Sequence, residues 1–207
     1  MSESVSKGST TSWSSRVGCS GRSEGLVTHA PPFTLRVVDS PELVAIARTL
    51  MAEYAALPHT TGRWTTAAED IAALPGAYVP PAGVLLVATS HGAEAFDDDS
   101  DALGCGGLLP LQNPADAEIK RVYVRPSARG RGVGEAITRE LMRFAENTGY
   151  RRVLLDTAPE LETAIRLYER LGFTHIGPYK PGLLRDAVCM QISLPLHAAG
   201  ASIVGDR

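Results

Sequence analysis

The stretch "VRPSARGRGVGEAITRELMR", Val124 to Arg143, decides how this chain is read. An apolar run, "AEIKRVYV" (Ala117 to Val124), leads into it and reads as a strand. Beyond the turn, Val133, Ile137, Leu141, Phe144 and Ala145 recur at the spacing of one helix face. Between the two lie Gly130, Gly132 and Gly134, with Arg129 and Arg131 among them. Glycines there allow a tight turn and let backbone amides approach an anion. The following helix N-terminus favours the same charge, and the two arginines add charge-assisted hydrogen bonds. A pyrophosphate is the natural guest. The plain alternative is a Gly/Arg surface turn that holds nothing.

Three phosphate loops compete for this pattern. A P-loop needs GxxxxGK[ST], and no Gly-Lys followed by Ser or Thr occurs here. A dinucleotide fingerprint needs GxGxxG, but the third position after Gly132 is Glu135. What remains is [Q/R]xxGxG/A, filled by Arg129, Gly132 and Gly134.

Upstream, "FTLRVV" alternates as a strand does, and Ser40-Pro41-Glu42 marks a helix start. That helix carries Leu43, Ile46, Ala47, Leu50 and Tyr54 on one face. "TTAAEDIAALPG" reads as a short helix stopped by Pro75 and Gly76. "GVLLVATS" and "ALGCGGLLPL" read as two strands joined by the polar "HGAEAFDDDSD", a solvated hairpin loop. Gly106 or Gly107 marks a bulge or a close backbone approach. Downstream, "RRVLLDT" is a buried-type strand. "ELETAIRLYERLGF" is a helix, and "FTHI" and "AVCMQISL" are closing strands. The order is strand, helices, three strands, helix, strand, helix, two strands, which predicts an α/β domain with a mixed sheet.

Composition sets outer bounds. The chain has 207 residues and 44% hydrophobic content, enough for one domain with a core plus extensions. A net charge of -3 gives no case for nucleic acid or an anionic membrane as main partner. Three widely spaced cysteines, Cys19, Cys105 and Cys189, form no metal-ligand spacing and fit free thiols in a reducing cytoplasm. No apolar run approaches the roughly 20 residues that span a bilayer. Residues 1–31 are Ser/Gly-rich and aperiodic, which predicts a disordered tail, with a transit peptide as the weaker alternative. Residues 32–195 form the predicted domain, and 196–207 a second loose end.

The strand "AEIKRVYVRP", the loop "ARGRGVG" with its helix, the strand "RRVLLDT" and the segment "AIRLYERLGF" together resemble the GNAT superfamily, the Gcn5-related N-acetyltransferases. The resemblance runs at most from Phe33 to Leu194 and is most specific from Ala117 to Phe173. It implies a GNAT fold: six to seven strands, about four helices, and central strands splayed into an acetyl-CoA cleft. It implies acetyl-CoA as co-substrate and no metal. It implies backbone contacts to pantetheine from Val122, Tyr123 and Val124. Pyrophosphate contacts fall to Arg129, Gly130, Arg131, Gly132, Val133, Gly134 and Glu135. Tyr168 is implied at the CoA sulfur as general acid or thiolate stabiliser. Packing on the sheet with Leu161 and Ile165 is its structural alternative.

Acetyl transfer to an amine needs a route for the amine proton, because alkylamines with a pKa near ~10.4 are mostly protonated at neutral pH. It also needs a donor to the oxyanion, which a strand amide can provide. Glu118, eleven positions before Arg129, matches the base of the family's histone acetyltransferase branch. An exposed or ion-paired strand Glu, beside Lys120 on the same face, is the alternative. Many members carry Asn where this chain has Leu161, so one cofactor contact is missing or replaced. His59, Arg63, Trp64 and Tyr179 are weaker candidates for the acceptor side, with a Trp packed at a helix junction as the alternative for that loop. Asp156 and Thr157 end their strand where they could touch cofactor or substrate or serve as a structural cap. The expected reaction is direct attack by a small-molecule or amino-acid-like amine in a ternary complex, in a monomer or homodimer. A protein N-terminus or lysine as acceptor stays open, as does a non-catalytic acyl-CoA sensor or, third, a nucleotide-phosphate enzyme.

Overall fold

Hydrophobic spacing sorts the chain into seven strands and four helices. In chain order these are β1 Phe33–Val37, α1 Pro41–Ala55, α2 Ala67–Ala72, β2 Val84–Ser90, β3 Ala102–Pro110, β4 Asp116–Val124, α3 Val133–Thr148, β5 Arg152–Thr157, α4 Glu162–Arg170, β6 Thr174–Ile176 and β7 Val188–Ser193. The structure is a computed structural model that describes residues 33–90 and 101–195. The expectations for 1–31, for 91–100 of the acidic connection and for 196–207 lie outside the described residues. The element order is the one the sequence predicts. Boundaries shift slightly: Leu161 stands just before α4 with φ -85° and ψ 49°, so that helix starts at Glu162.

The strands form one mixed sheet in the order β1-β2-β3-β4-β5-β7-β6. The β4–β5 pair is parallel and the other pairs are antiparallel. Both faces are covered, which is why β2 and β3 read as nearly continuous apolar runs. On one face α3 buries Val133, Ile137, Leu141, Met142 and Ala145 against Leu86, Leu108, Ala117, Ile119 and Val153. On the other, α1 buries Leu43, Ile46, Ala47, Leu50 and Met51 against Leu85, Val87, Cys105 and Tyr123. Ser40 caps α1 by accepting from Leu43 N–H at 3.3 Å. Cys105 and Cys189 are buried free thiols.

One irregularity positions the site. In the β3–β4 ladder Gly107 pairs with Lys120 and Cys105 with Tyr123, so Arg121 and Val122 together oppose Gly106. This is a β-bulge, and Arg121 takes the left-handed φ of 59° that it requires. The extra residue changes which side chains face which core. Ala117 and Ile119 face α3 before the bulge, and Val122 and Val124 face it afterwards, while Tyr123 turns to the α1 side. Gly106 allows the close approach: a Cβ there would lie 2.6 Å from Ile137 Cγ2. The expected bulge lies opposite Gly106, with the extra residue in β4. Both glycines are crowded: a Cβ at Gly106 would meet the Ile137 side chain and one at Gly107 the Tyr78 ring.

Candidate active site

β4 and β5 pair only at Asp116–Arg152, Ala117–Val153 and Glu118–Leu154. Beyond Glu118, β5 stays paired with β7 while β4 stays paired with β3. Among the described residues no strand pairs with the remaining edge of β4. Its backbone polar groups from Lys120 to Val124 are therefore open on that side, in a wedge between two parallel strands. Val122, Tyr123 and Val124 sit at this stretch, where the sequence reading puts backbone contacts to an extended ligand. Tyr123 is also tied down: its hydroxyl donates to Glu53 Oε2 of α1 at 3.1 Å, and Arg125 holds the same carboxylate.

The wedge leads into the glycine loop. A 3₁₀ turn at Pro126–Ala128 follows β4, and Arg129 Nε donates back to Val124 O at 3.3 Å. Gly130 and Gly132 have φ of 75° and 80°, and a Cβ at either would meet nothing within 4 Å. The glycines are thus required by backbone conformation, and the space outside them is open. The first helical main-chain bond of α3 runs from Ala136 N–H to Gly132 O, which leaves the Val133, Gly134 and Glu135 amides without a main-chain acceptor among the described residues. Arg129 and Arg131 stand exposed on this loop, and Glu135 pairs with Arg139 one turn along. These residues fit an anionic group such as a pyrophosphate.

Tyr168 lies on α4, in the core shared with α3 and β4. It is 6% exposed and packs on Phe173 with ring centroids 5.7 Å apart. Among the described residues its hydroxyl has no hydrogen-bond partner, and burial, then Tyr54 and Asp156 nearby, push its pKa upward. It therefore remains a neutral donor across the physiological range.

Glu118 lies at the crotch of the wedge, 3% exposed. It accepts from the Tyr179 hydroxyl and from Lys180 Nζ, with Lys120 Nζ at 3.5 Å. Burial raises its pKa, but the Lys120 charge and the bonds from Lys180 and Tyr179 outweigh this and hold it below the usual carboxylate range. Burial holds Lys120 low against the opposing pull of Glu118. Asp156 closes the cluster, 3.9 Å from Lys180 and 4.0 Å from Lys120, and takes a 3.3 Å bond from Tyr179. The ion pair with Lys120 raised as the alternative for Glu118 is thus present.

A cavity of about 230 Å³ adjoins this cluster. Its walls come from Tyr54 of α1, the Thr60–Thr66 segment, β4 at Ile119–Arg121, the end of β5 at Asp156–Ala158, and the Lys180–Ala187 segment. His59, Arg63, Trp64, Asp156 and Thr157, singled out as weaker candidates, all line it, and so does Leu161. Tyr179 stands beside it through Glu118 and Asp156. Trp64 does two things, since it is a buried junction residue and also a wall of the cavity. His175 lies away from the site, paired with Glu169 at 2.9 Å on the surface. Sequence reading missed Arg121 and Lys180. The signal for Arg121 was present: in "AEIKRVYV" the apolar alternation slips at the adjacent Lys120 and Arg121, as a bulge demands.

Sequence comparison agrees with this architecture. A model of the acetyltransferase (GNAT) family matches residues 63–173. An uncharacterized N-acetyltransferase of Schizosaccharomyces pombe is 36% identical over 117 residues, covering 56% of this chain and 68% of that protein. A second, from Escherichia coli, is 30% identical over 144 residues, covering 69% of this chain and 80% of the relative. Among solved structures, an acetyltransferase from Streptococcus agalactiae superposes with a TM-score of 0.62 at 18% identity over 79% of this chain and 99% of its own. At that identity the likeness speaks for the fold. The chain belongs to the acetyltransferase (GNAT) family and is an acyltransferase of the N-acetyltransferase class. Among the described residues, no helix is long and apolar enough to cross a membrane.

Proposed function

We propose that this protein moves an acetyl group from acetyl-CoA to a primary amine of a small molecule, with the amine attacking directly in a ternary complex. The observation that carries this reading is the parting of β4 from β5 after the Glu118–Leu154 pair. It leaves an open strand edge that runs straight into the glycine loop, with Tyr168 on one side and a cavity on the other. Acetyl-CoA supplies an activated thioester carbonyl when bound. The open backbone of Val122–Val124 orients the ligand's extended arm. The amides at the start of α3, with Arg129 and Arg131, hold its phosphates. A β4 amide facing the wedge donates to the carbonyl oxygen, which is where negative charge develops. Tyr168, neutral and without another partner, donates its phenolic proton to the departing sulfur. Glu118, ionised and linked through Tyr179 to Asp156, receives the amine proton through a water, and Asp156 lines the cavity.

The test is thiol release from acetyl-CoA with a panel of amines. Amine-dependent release is expected, and Tyr168→Phe should lower kcat by about a hundredfold while the KM for acetyl-CoA changes only a few-fold. Tight CoA binding with no release on any amine, and no effect of Tyr168→Phe, would instead make the protein an acyl-CoA sensor.

A further inference from the structure

The cavity wall carries four cationic side chains, Arg63, Lys120, Arg121 and Lys180, and one carboxylate, Asp156. Asp156 pairs with Lys120 and Lys180 from the wall itself, and the other carboxylates that offset these cations, Asp70, Glu118, Glu160 and Asp186, are not part of it. Two buried side-chain polar atoms among the described residues have no hydrogen-bond partner, Thr60 Oγ1 and Arg121 Nε. Both residues belong to this wall. Thr60 interacts with the Tyr54 hydroxyl and Arg121 with that of Tyr78. Yet neither Thr60 Oγ1 nor Arg121 Nε has a partner within hydrogen-bond length, so both keep bonding capacity for a ligand on this cavity.

Arg121 is held for such a role. Its backbone sits in the left-handed region at the bulge, a conformation that costs a branch-bearing residue about 1–3 kcal/mol and persists only where the surroundings impose it. Its guanidinium lies over the Trp64 ring, 3.6 Å from the centroid, which fixes the plane of the fork. The Trp64 indole is itself fixed by a 2.6 Å bond to Asp70. Asp70 reaches the Arg121 terminal nitrogen only at 3.6 Å, beyond hydrogen-bond length. A fixed, incompletely bonded guanidinium is the group that recognises a carboxylate. Asp156 and the Glu118 cluster stand elsewhere on the same site and suit an ammonium. The cavity is below the roughly 300 Å³ at which drug-sized sites begin, so the guest is small.

We infer that the acceptor is a small amino-carboxylate, with its carboxylate taken by Arg121 and Thr60 and its amine turned toward Asp156 and Glu118. This rests on the acyl-transfer reading and narrows its substrate class.

The experiment compares α-amino acids with the amines left after removal of the carboxylate: leucine against isopentylamine, phenylalanine against phenethylamine. Wild-type protein should prefer the amino acid in kcat/KM by roughly tenfold to a hundredfold, the range of a hydrogen bond to a charged group. In Arg121→Gln, and in the milder Thr60→Val, that ratio should fall toward one. A second readout needs no turnover. The carboxylic acids lacking the amine, 4-methylpentanoate and 3-phenylpropanoate, should raise the Tm of the wild type and not of Thr60→Val. Equal turnover within each pair, or a preference for the decarboxylated amine, overturns the inference even if Arg121→Gln does not fold. Absence of thiol release with every amine defeats the acyl-transfer reading. In that case stabilisation by the carboxylic acids, lost in Thr60→Val, upholds the carboxylate site, and absence of stabilisation overturns it.

Discussion

Tyr168 and Glu118 are both buried, yet their surroundings hold them in opposite protonation states. The phenol has no hydrogen-bond partner among the described residues, and burial keeps it protonated. The carboxylate has three partners and they keep it ionised. This fixes the expected pH behaviour. A carboxyl held below its ordinary range does not titrate where amines lose their protons. kcat/KM should therefore rise with pH along the acceptor's own deprotonation, with no limb from Glu118, and Glu118→Gln should lower the whole profile rather than reshape it. A limb between about pH 5 and 7 in the wild type that vanishes in Glu118→Gln would overturn this assignment. Tyr168→Phe removes a hydroxyl that has no hydrogen-bond partner among the described residues. Its Tm should stay near that of the wild type, which separates the predicted loss of turnover from a loss of structure.

At the scale of elements, the bulge in β4 does what a regular strand could not. It turns Tyr123 toward Glu53 of α1, sends Val122 and Val124 to the α3 side, and sets Arg121 against Trp64. Gly106 is the residue opposite, and it lies under α3. Gly106→Ala would push a methyl against Ile137, Val122 and Leu141 and should cost about 1–3 kcal/mol, read as a lower urea midpoint. An unchanged midpoint would mean that β3 and α3 can separate without loss. Gly132 differs, because a Cβ there meets nothing but must adopt φ 80°. Gly132→Ala should cost about 1–2 kcal/mol in strain and also raise the KM for acetyl-CoA by reshaping the loop. A KM equal to that of the wild type would remove the loop from cofactor binding.

Over the whole molecule, buried and half-buried carboxylates tie the sheet and helices together. Asp116 pairs with Arg152 and accepts from Asn113, Glu53 pairs with Arg125, and Glu118 pairs with two lysines. Arg152 is the main cause of the depressed Asp116 pKa and Arg125 of the depressed Glu53 pKa. A depressed folded pKa means that the folded chain binds fewer protons than the unfolded chain near pH 4. This stability is complete above the ordinary carboxylate range and is lost as pH falls through the folded values. Urea midpoints should drop steeply below about pH 4, and Asp116→Asn should narrow the gap between pH 7 and pH 3. A gap as wide as in the wild type would show that the Asp116–Arg152 pair does not contribute.

The sequence by itself determined the element order, because each strand and helix advertises its own hydrophobic period. It also determined the glycine loop, because positive φ at Gly130 and Gly132 is a local demand that a local residue type must meet. Tyr168 was legible through its segment, "LYERLGF". The long-range pairs were not legible, since nothing local says that Lys180 meets Glu118 across 62 positions or that Arg63 meets Asp186 across 123. The reading of Glu118 as free base or ion pair could be framed from sequence, but its partners Tyr179 and Lys180 arrive from a segment beyond β6. The parting of β4 from β5 likewise belongs to no single strand. It is a matter of how far two strands pair, which is settled only once the sheet is assembled.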